Sequence, residues 1–99
     1  MGQSIASANF LLESRLRDAA AGKAGALYEL GVAYSSGSGV AMDLIEAHKW
    51  FNLAALSGDR RGQQCRAEIA DEMTAREIAE AQRAARAWLG GTMPRRLAA

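Results

Sequence analysis

Residues 26–58 read ALYELGVAYSSGSGVAMDLIEAHKWFNLAALSG, and the strongest structural signals of the chain lie here. Apolar residues recur at helical spacing on both sides of a glycine-rich break at residues 37–39. Before the break they are Leu27, Leu30 and Tyr34, and after it they are Ala47, Trp50, Phe51 and Ala54. The pattern predicts a hairpin of two helices joined by a glycine turn, with the aromatic residues in the core.

The second helix of the hairpin carries signals for both of its ends. Asp43 is placed to cap its first turn, and Glu46, three residues later, is placed to bond back to the Asp43 N–H. Gly58 stands where a left-handed residue would end the helix. Gly31 and Ala47 are small, so we also predict that the two helices approach each other closely.

The hairpin resembles the Sel-one-like repeat, a relative of the tetratricopeptide repeat. The matching residues are Ala26, Leu30-Gly31, Tyr34, Gly37-Ser38-Gly39-Val40, Asp43, Glu46-Ala47, Trp50, Ala54-Ala55 and Gly58. Glu46 departs from the pattern, which often has lysine there, and one full repeat covers about a third of the chain. The resemblance implies a right-handed α-α solenoid that serves as an adaptor or scaffold for other proteins, and it implies no catalytic residue.

The segment before the repeat predicts one amphipathic helix within residues 4–22. Its apolar stripe consists of Ile5, Ala8, Leu12, Leu16 and Ala19. A shift of 36 residues places Ala19 on Ala55 and Gly22 on Gly58, so this helix occupies the position of the second helix of a preceding repeat. Ser14 falls where the repeat has its tryptophan, which is typical of a degenerate end unit. We therefore predict an N-terminal half-repeat cap.

Residues 59–90 predict a degenerate repeat that closes the C-terminal end. Its first helix has a thin stripe of Gly62, Cys65, Ile69 and Met73. A capping box from Thr74 to Glu77 starts the next helix without a glycine turn. The apolar face of this last helix consists of Ile78, Ala81, Ala85 and Trp88 or Leu89. Gly90-Gly91 is predicted to stop it, which leaves residues 1–91 as the repeat domain and residues 92–99 as a flexible tail.

Composition limits the class of protein. The chain has 99 residues, of which 49% are hydrophobic, enough for one small domain of about five helices. Twelve basic and eleven acidic side chains nearly cancel, which disfavours nucleic acid or an anionic membrane as a partner. Residues 1–8 lack both a basic region and a long apolar run, so we expect a cytoplasmic protein. A periplasmic or secreted location is the alternative if an upstream signal peptide has been removed.

No pattern of residues predicts catalysis, a cofactor or a metal. His48 is the only histidine, and no Cys, Ser or second His accompanies it in the arrangement of a triad or a zinc site. We interpret His48 as a surface position. The lone Cys65 cannot form an internal disulfide, and we interpret it as partly buried; the alternative is a thiol whose pKa is lowered by neighbouring arginines. We predict that the chain is not an enzyme.

The predicted function is the binding of another protein. In tetratricopeptide-like solenoids the first helix of each hairpin lines the groove. The candidate partner-binding residues are therefore Tyr28, Glu29, Val32, Ser35, Arg60, Gln63, Gln64 and Arg66. Such a groove would hold a peptide or a helix. The alternative is a structural homo-oligomer, in the simplest case a homodimer, that packs through the terminal helices.

Overall fold

The computed structural model describes residues 2–92, with side chains over residues 10–91. Over that part of the chain it contains five α-helices and no strand. The helices are α1 (Gly2–Ala20), α2 (Ala26–Ser36), α3 (Leu44–Leu56), α4 (Arg60–Ala70) and α5 (Ala75–Thr92). The prediction of an all-helical fold is confirmed, and the stretch that we singled out forms the α2–α3 hairpin.

Helix α3 lies at the centre of the arrangement. It packs against α2, α4 and α5, while α1 packs against α2, and α2 also touches α4. Trp50 and Phe51 of α3 are only 2% and 1% exposed. Tyr34 is half-buried and packs against the same core. The prediction that these three aromatic side chains belong to the core is confirmed.

Two glycines, one on α2 and one on α4, allow close contact with α3. A Cβ atom on Gly31 of α2 would overlap the ring of Phe51. A Cβ atom on Gly62 of α4 would lie 2.7 Å from the Cβ of Ala54 and 2.8 Å from the carbonyl oxygen of Phe51. These distances are shorter than carbon and oxygen atoms tolerate, so a methyl group at either position would force the helices apart.

At the start of α3, one of the two predicted capping interactions is present. The Asp43 carboxylate accepts hydrogen bonds from the N–H groups of Ile45, at 3.0 Å, and Glu46, at 3.1 Å. The predicted return bond from Glu46 is wrong, because the Asp43 N–H instead donates to the carbonyl of Tyr34 at 3.0 Å. The Glu46 carboxylate pairs with Lys49 at 3.3 Å. The backbone bond to Tyr34 ties the start of α3 to the end of α2.

The capping box at the start of α5 is complete. The Glu77 N–H donates to the hydroxyl of Thr74 at 3.1 Å, and the Thr74 N–H donates to the Glu77 carboxylate at 2.8 Å. Ala81 and Ala85 of this helix are buried, and Trp88 packs against the core. The predicted apolar face of α5 is therefore confirmed.

The predicted stop at Gly90-Gly91 is wrong. Both glycines lie within α5, which continues to Thr92, so the first residue of the predicted tail is helical. Neither glycine has the positive φ that ends a helix, whereas Gly58, at φ 97°, does end α3 as predicted. Glycine lowers helix propensity by only about 1 kcal/mol, so it does not by itself terminate a helix. The rest of the predicted tail, residues 93–99, lies outside the described residues.

Helix α1 joins the core along one side only. Leu12 and Leu16 pack against the core, which includes Ala19, whereas Phe10 and Leu11 are 64% and 50% exposed. Ile5 and Ala8, which begin the predicted stripe, lie outside the described side chains. Between residues 2 and 92, no helix combines the length and the apolar character needed to cross a membrane.

Candidate interaction surface

Tyr28 on α2 is fixed between two side chains. Its ring centroid lies 5.9 Å from that of Phe51, and the two rings are tilted by 47°. The guanidinium of Arg61, on α4, lies over the Tyr28 ring, 4.1 Å from its centroid, and makes a cation-π contact with it. The half-buried tyrosine is thus held by α3 from behind and by α4 from the side.

Asp59, the N-cap of α4, holds Arg61 in this position. The Asp59 carboxylate accepts two hydrogen bonds from the guanidinium, at 3.0 and 2.8 Å. It accepts a third from the backbone N–H of Arg61 at 3.0 Å. The bond from the Arg61 side chain keeps the pKa of the Asp59 carboxyl below its ordinary value. Arg61 was not among the predicted site residues, although an N-cap aspartate followed two residues later by arginine was a signal for it.

Three of the predicted residues meet in one shallow depression of about 330 Å3. Tyr28, Glu29 and Val32 line it together with Arg15 from α1 and Ser38 from the turn. Val32 is 38% exposed, so an apolar group is open to solvent beside the fixed tyrosine. Sequence reasoning missed the contribution of Arg15 and Ser38, because they come from elements outside the two helices that it considered.

The remaining predicted residues do not converge on the depression. Ser35 is half-buried, and its hydroxyl donates to the backbone carbonyl of Val32 at 3.2 Å. Arg60, Gln63 and Gln64 are exposed on α4, and the Gln64 amide reaches Glu68 at 3.4 Å. They lie on α4, which contributes none of the residues that line the depression.

Arg66 faces α3, away from Tyr28. Its guanidinium donates to the side-chain oxygen of Asn52 at 2.6 Å, in a partly buried position. Residues four apart share a helix face, so Arg61 and Cys65 lie on the side of α4 towards Tyr28, whereas Gly62 and Arg66 lie towards α3. The structure therefore separates Arg66 from the other candidates.

Cys65 is half-buried, as predicted. Burial raises the pKa of its thiol, and the charge of Glu68 acts in the same direction. A hydrogen bond from Tyr28 and the charge of Arg61 work against this shift, but they are weaker. The alternative of an activated thiol is therefore contradicted by the raised pKa.

His48 is not at the surface, and that interpretation is wrong. Its side chain is only 3% exposed, and its Nδ1 atom is buried without a hydrogen-bond partner among the described residues. The reason is that α3 is packed against three helices, so the side of α3 that is polar in sequence also faces protein. Burial, followed by the charge of Arg66, lowers the pKa of His48.

The arrangement offers contact surface more than reactive groups. Across the described side chains, no three His, Cys, Asp or Glu residues come together in the manner of metal ligands. The chain matches no family model, and searches of curated proteins and of solved structures found no similar protein.

Proposed function

We propose that the chain is a non-catalytic, protein-binding module of the Sel-one-like type, a short right-handed solenoid. One complete repeat, α2–α3, would lie between the N-terminal cap α1 and the degenerate C-terminal pair α4–α5. The order of contacts supports this proposal, because each helix packs against a helix that precedes or follows it closely in the chain.

The polarity of α1 supports its role as an end cap. Under the shift of 36 residues, Leu11, Ser14 and Arg15 fall on Ala47, Trp50 and Phe51, which α3 buries. In α1 the corresponding side chains are half-buried or exposed, and two of the three are polar. A face of this composition suits the end of a stack better than a junction with another repeat.

The observation that carries the proposed binding function is the fixed Tyr28. Its ring is oriented by Phe51 and Arg61 before any partner arrives, and the exposed Val32 lies beside it. Pre-ordered aromatic and arginine side chains are typical anchors of protein interfaces, because little conformational freedom remains to be lost on binding. We propose that a peptide or helix inserts an apolar side chain into the depression beside Tyr28.

Panning a displayed library of peptides on the full chain tests this proposal. Enriched peptides are then titrated against the wild type, Val32→Asp and Gln82→Asp. Val32→Asp should weaken binding by about tenfold or more, because it places a charge at the apolar contact. Gln82→Asp adds the same charge at an exposed site on α5 and should leave the affinity unchanged. Enriched peptides that bind both variants equally well would refute this surface as the site.

A second candidate function is homo-oligomerisation, and the exposed Phe10 and Leu11 favour it. Two adjacent large apolar side chains on a terminal helix could be covered by a second copy of the chain. The solution mass, measured by light scattering over about a hundredfold range of concentration, tests this candidate. A mass that stays at the monomer value of 10.5 kDa rules it out. A dimer that Phe10→Glu converts into a folded monomer supports it.

A further inference from the structure

We propose that His48 is an acid-sensitive latch between α3 and α4, whose protonation loosens the packing of α4 on α3. The proposal concerns a property of the fold itself and is independent of the proposed binding function. It begins from a buried imidazole that lacks a partner at one nitrogen.

The place of His48 leaves no good site for a second proton. Its side chain is 3% exposed, and Nδ1 has no hydrogen-bond acceptor among the described residues. A neutral imidazole tolerates this better than a charged one, because one unsatisfied neutral acceptor costs far less than a buried charge. An imidazolium has N–H groups on both nitrogens, and a buried charged donor without an acceptor is strongly unfavourable.

A fixed positive charge on α4 adds to this cost. Asn52 follows His48 by four residues on α3, so the two side chains share a face. The Arg66 guanidinium is held at that face by its 2.6 Å bond to Asn52. Protonation of His48 would place two cations close together at the α3–α4 contact, and separation of the helices would relieve the repulsion.

The other elements packed against α3 do not offset this charge. The half-buried acid of α5, Glu77, is engaged by the Thr74 N–H at its own helix start. The other ionisable residues of α5 are exposed, namely Arg76, Glu80, Arg83 and Arg86. On α2 the acid Glu29 is exposed, and on α3 itself Glu46 pairs with Lys49. Arg66 is the charged group that acts on His48.

The direction of the pH effect follows from the two states. The unfolded chain takes up a proton on His48 near the ordinary pKa of 6.5, whereas the folded chain does so only at lower pH. The folded state is therefore most stable, relative to the unfolded state, above about pH 6.5. It loses stability progressively as the pH falls towards the pKa of His48 in the folded state. Each unit of difference between the two pKa values changes the folding equilibrium constant about tenfold.

Proton NMR on the full chain tests the proposal directly, since His48 is the only histidine and its ring signals titrate alone. We expect a midpoint below 6.5 and, as the pH falls through it, faster amide exchange in α4 than in α2 after correction for intrinsic exchange rates. Arg66→Met should raise the midpoint by removing the neighbouring cation. Arg83→Met removes an exposed arginine from α5 and should leave the midpoint unchanged.

Unfolding by urea at about pH 7.5 and about pH 5 provides the second measurement. The folding equilibrium constant of the wild type should fall several-fold more between these two conditions than that of His48→Leu. An ordinary midpoint in the wild type, or exchange that accelerates equally in α2 and α4, would overturn the proposal. These two outcomes require no variant, so they decide the question even if His48→Leu does not fold.

Discussion

The two sides of α3 solve the same packing problem with different chemistry. Towards α2, the closest approach is between apolar atoms, with the Phe51 ring seated on Gly31. Towards α4, the approach again requires a glycine, Gly62, but His48 and the Arg66–Asn52 bond lie at the same interface. The backbone geometry is similar, whereas the α4 side contains groups that respond to pH and need partners. Close packing and an apolar interface are therefore separate properties.

This difference divides the expected response of the protein to mutation. The stability lost through substitutions on the α2 side should follow the volume and apolar area removed. The bond there from the Asp43 N–H to the Tyr34 carbonyl is made by backbone groups, which a change of side chain leaves in place. The stability lost through substitutions on the α4 side should depend on which polar atom is left unpaired. The four predictions below test that division, beginning with the largest effect.

Phe51→Ala should destabilise the protein most, by about 3–5 kcal/mol, because it empties a fully buried site and removes the support of Tyr28. Urea unfolding followed by far-UV circular dichroism measures the loss. Combining Phe51→Leu with Gly31→Ala should cost less than the sum of the single changes, since the smaller side chain leaves room for the methyl group. Strict additivity would show that the two residues are not in contact.

Gly31→Ala and Gly62→Ala should each cost about 1–3 kcal/mol through overpacking. The loss at Gly62 should be the larger, because its obstacles include the Phe51 carbonyl and the Ala55 nitrogen, and backbone atoms cannot turn aside. Gly90→Ala is the matched control. A Cβ atom there meets no atom of the described residues within 4 Å, so the better helix former should stabilise α5 by up to about 1 kcal/mol. Thermal unfolding of the three variants decides the order.

Arg66→Ala and Asn52→Ala should each destabilise the folded state by about 1–2 kcal/mol, as each leaves one partner of a partly buried bond unpaired. The double variant should cost less than the two losses together. A double-mutant cycle by urea unfolding measures that coupling. Zero coupling would show that the bond between Arg66 and Asn52 does not stabilise the α3–α4 contact.

Asp43→Ala should cost about 1 kcal/mol, because two N–H groups of α3 lose their acceptor. Glu46→Ala should cost only a few tenths of a kcal/mol, since Glu46 makes an ion pair with Lys49 and no cap bond to Asp43. Equal losses in the two variants would point to the reciprocal capping box that the sequence predicts.

The sequence was most informative where one local signal determines one structural feature. Helical spacing placed the core residues Leu30 and Trp50 correctly, and the Thr74–Glu77 capping box located the start of α5. Such signals act within a few residues, so no knowledge of the tertiary arrangement is needed. The same holds for the left-handed Gly58.

Sequence is less informative where a feature depends on which helices become neighbours. His48 was assigned to the surface, but burial depends on the number of helices packed on α3. Arg66 and Arg61 lie five residues apart on one helix, and only the position of α4 decides which of them meets Tyr28. Periodicity identifies a helix face, but it does not identify the partner of that face.

The contact between Trp50 and Trp88 gives the molecule a built-in optical reporter. Their ring centroids are 4.7 Å apart at an interplanar angle of 76°, and Lys49 lies 4.3 Å from the Trp50 ring centroid. Because the chain has two tryptophans and both belong to this contact, its indole emission reports the docking of α5 on α3. A lag between the emission signal and the loss of ellipticity during unfolding would therefore reveal the order in which the helices leave the core.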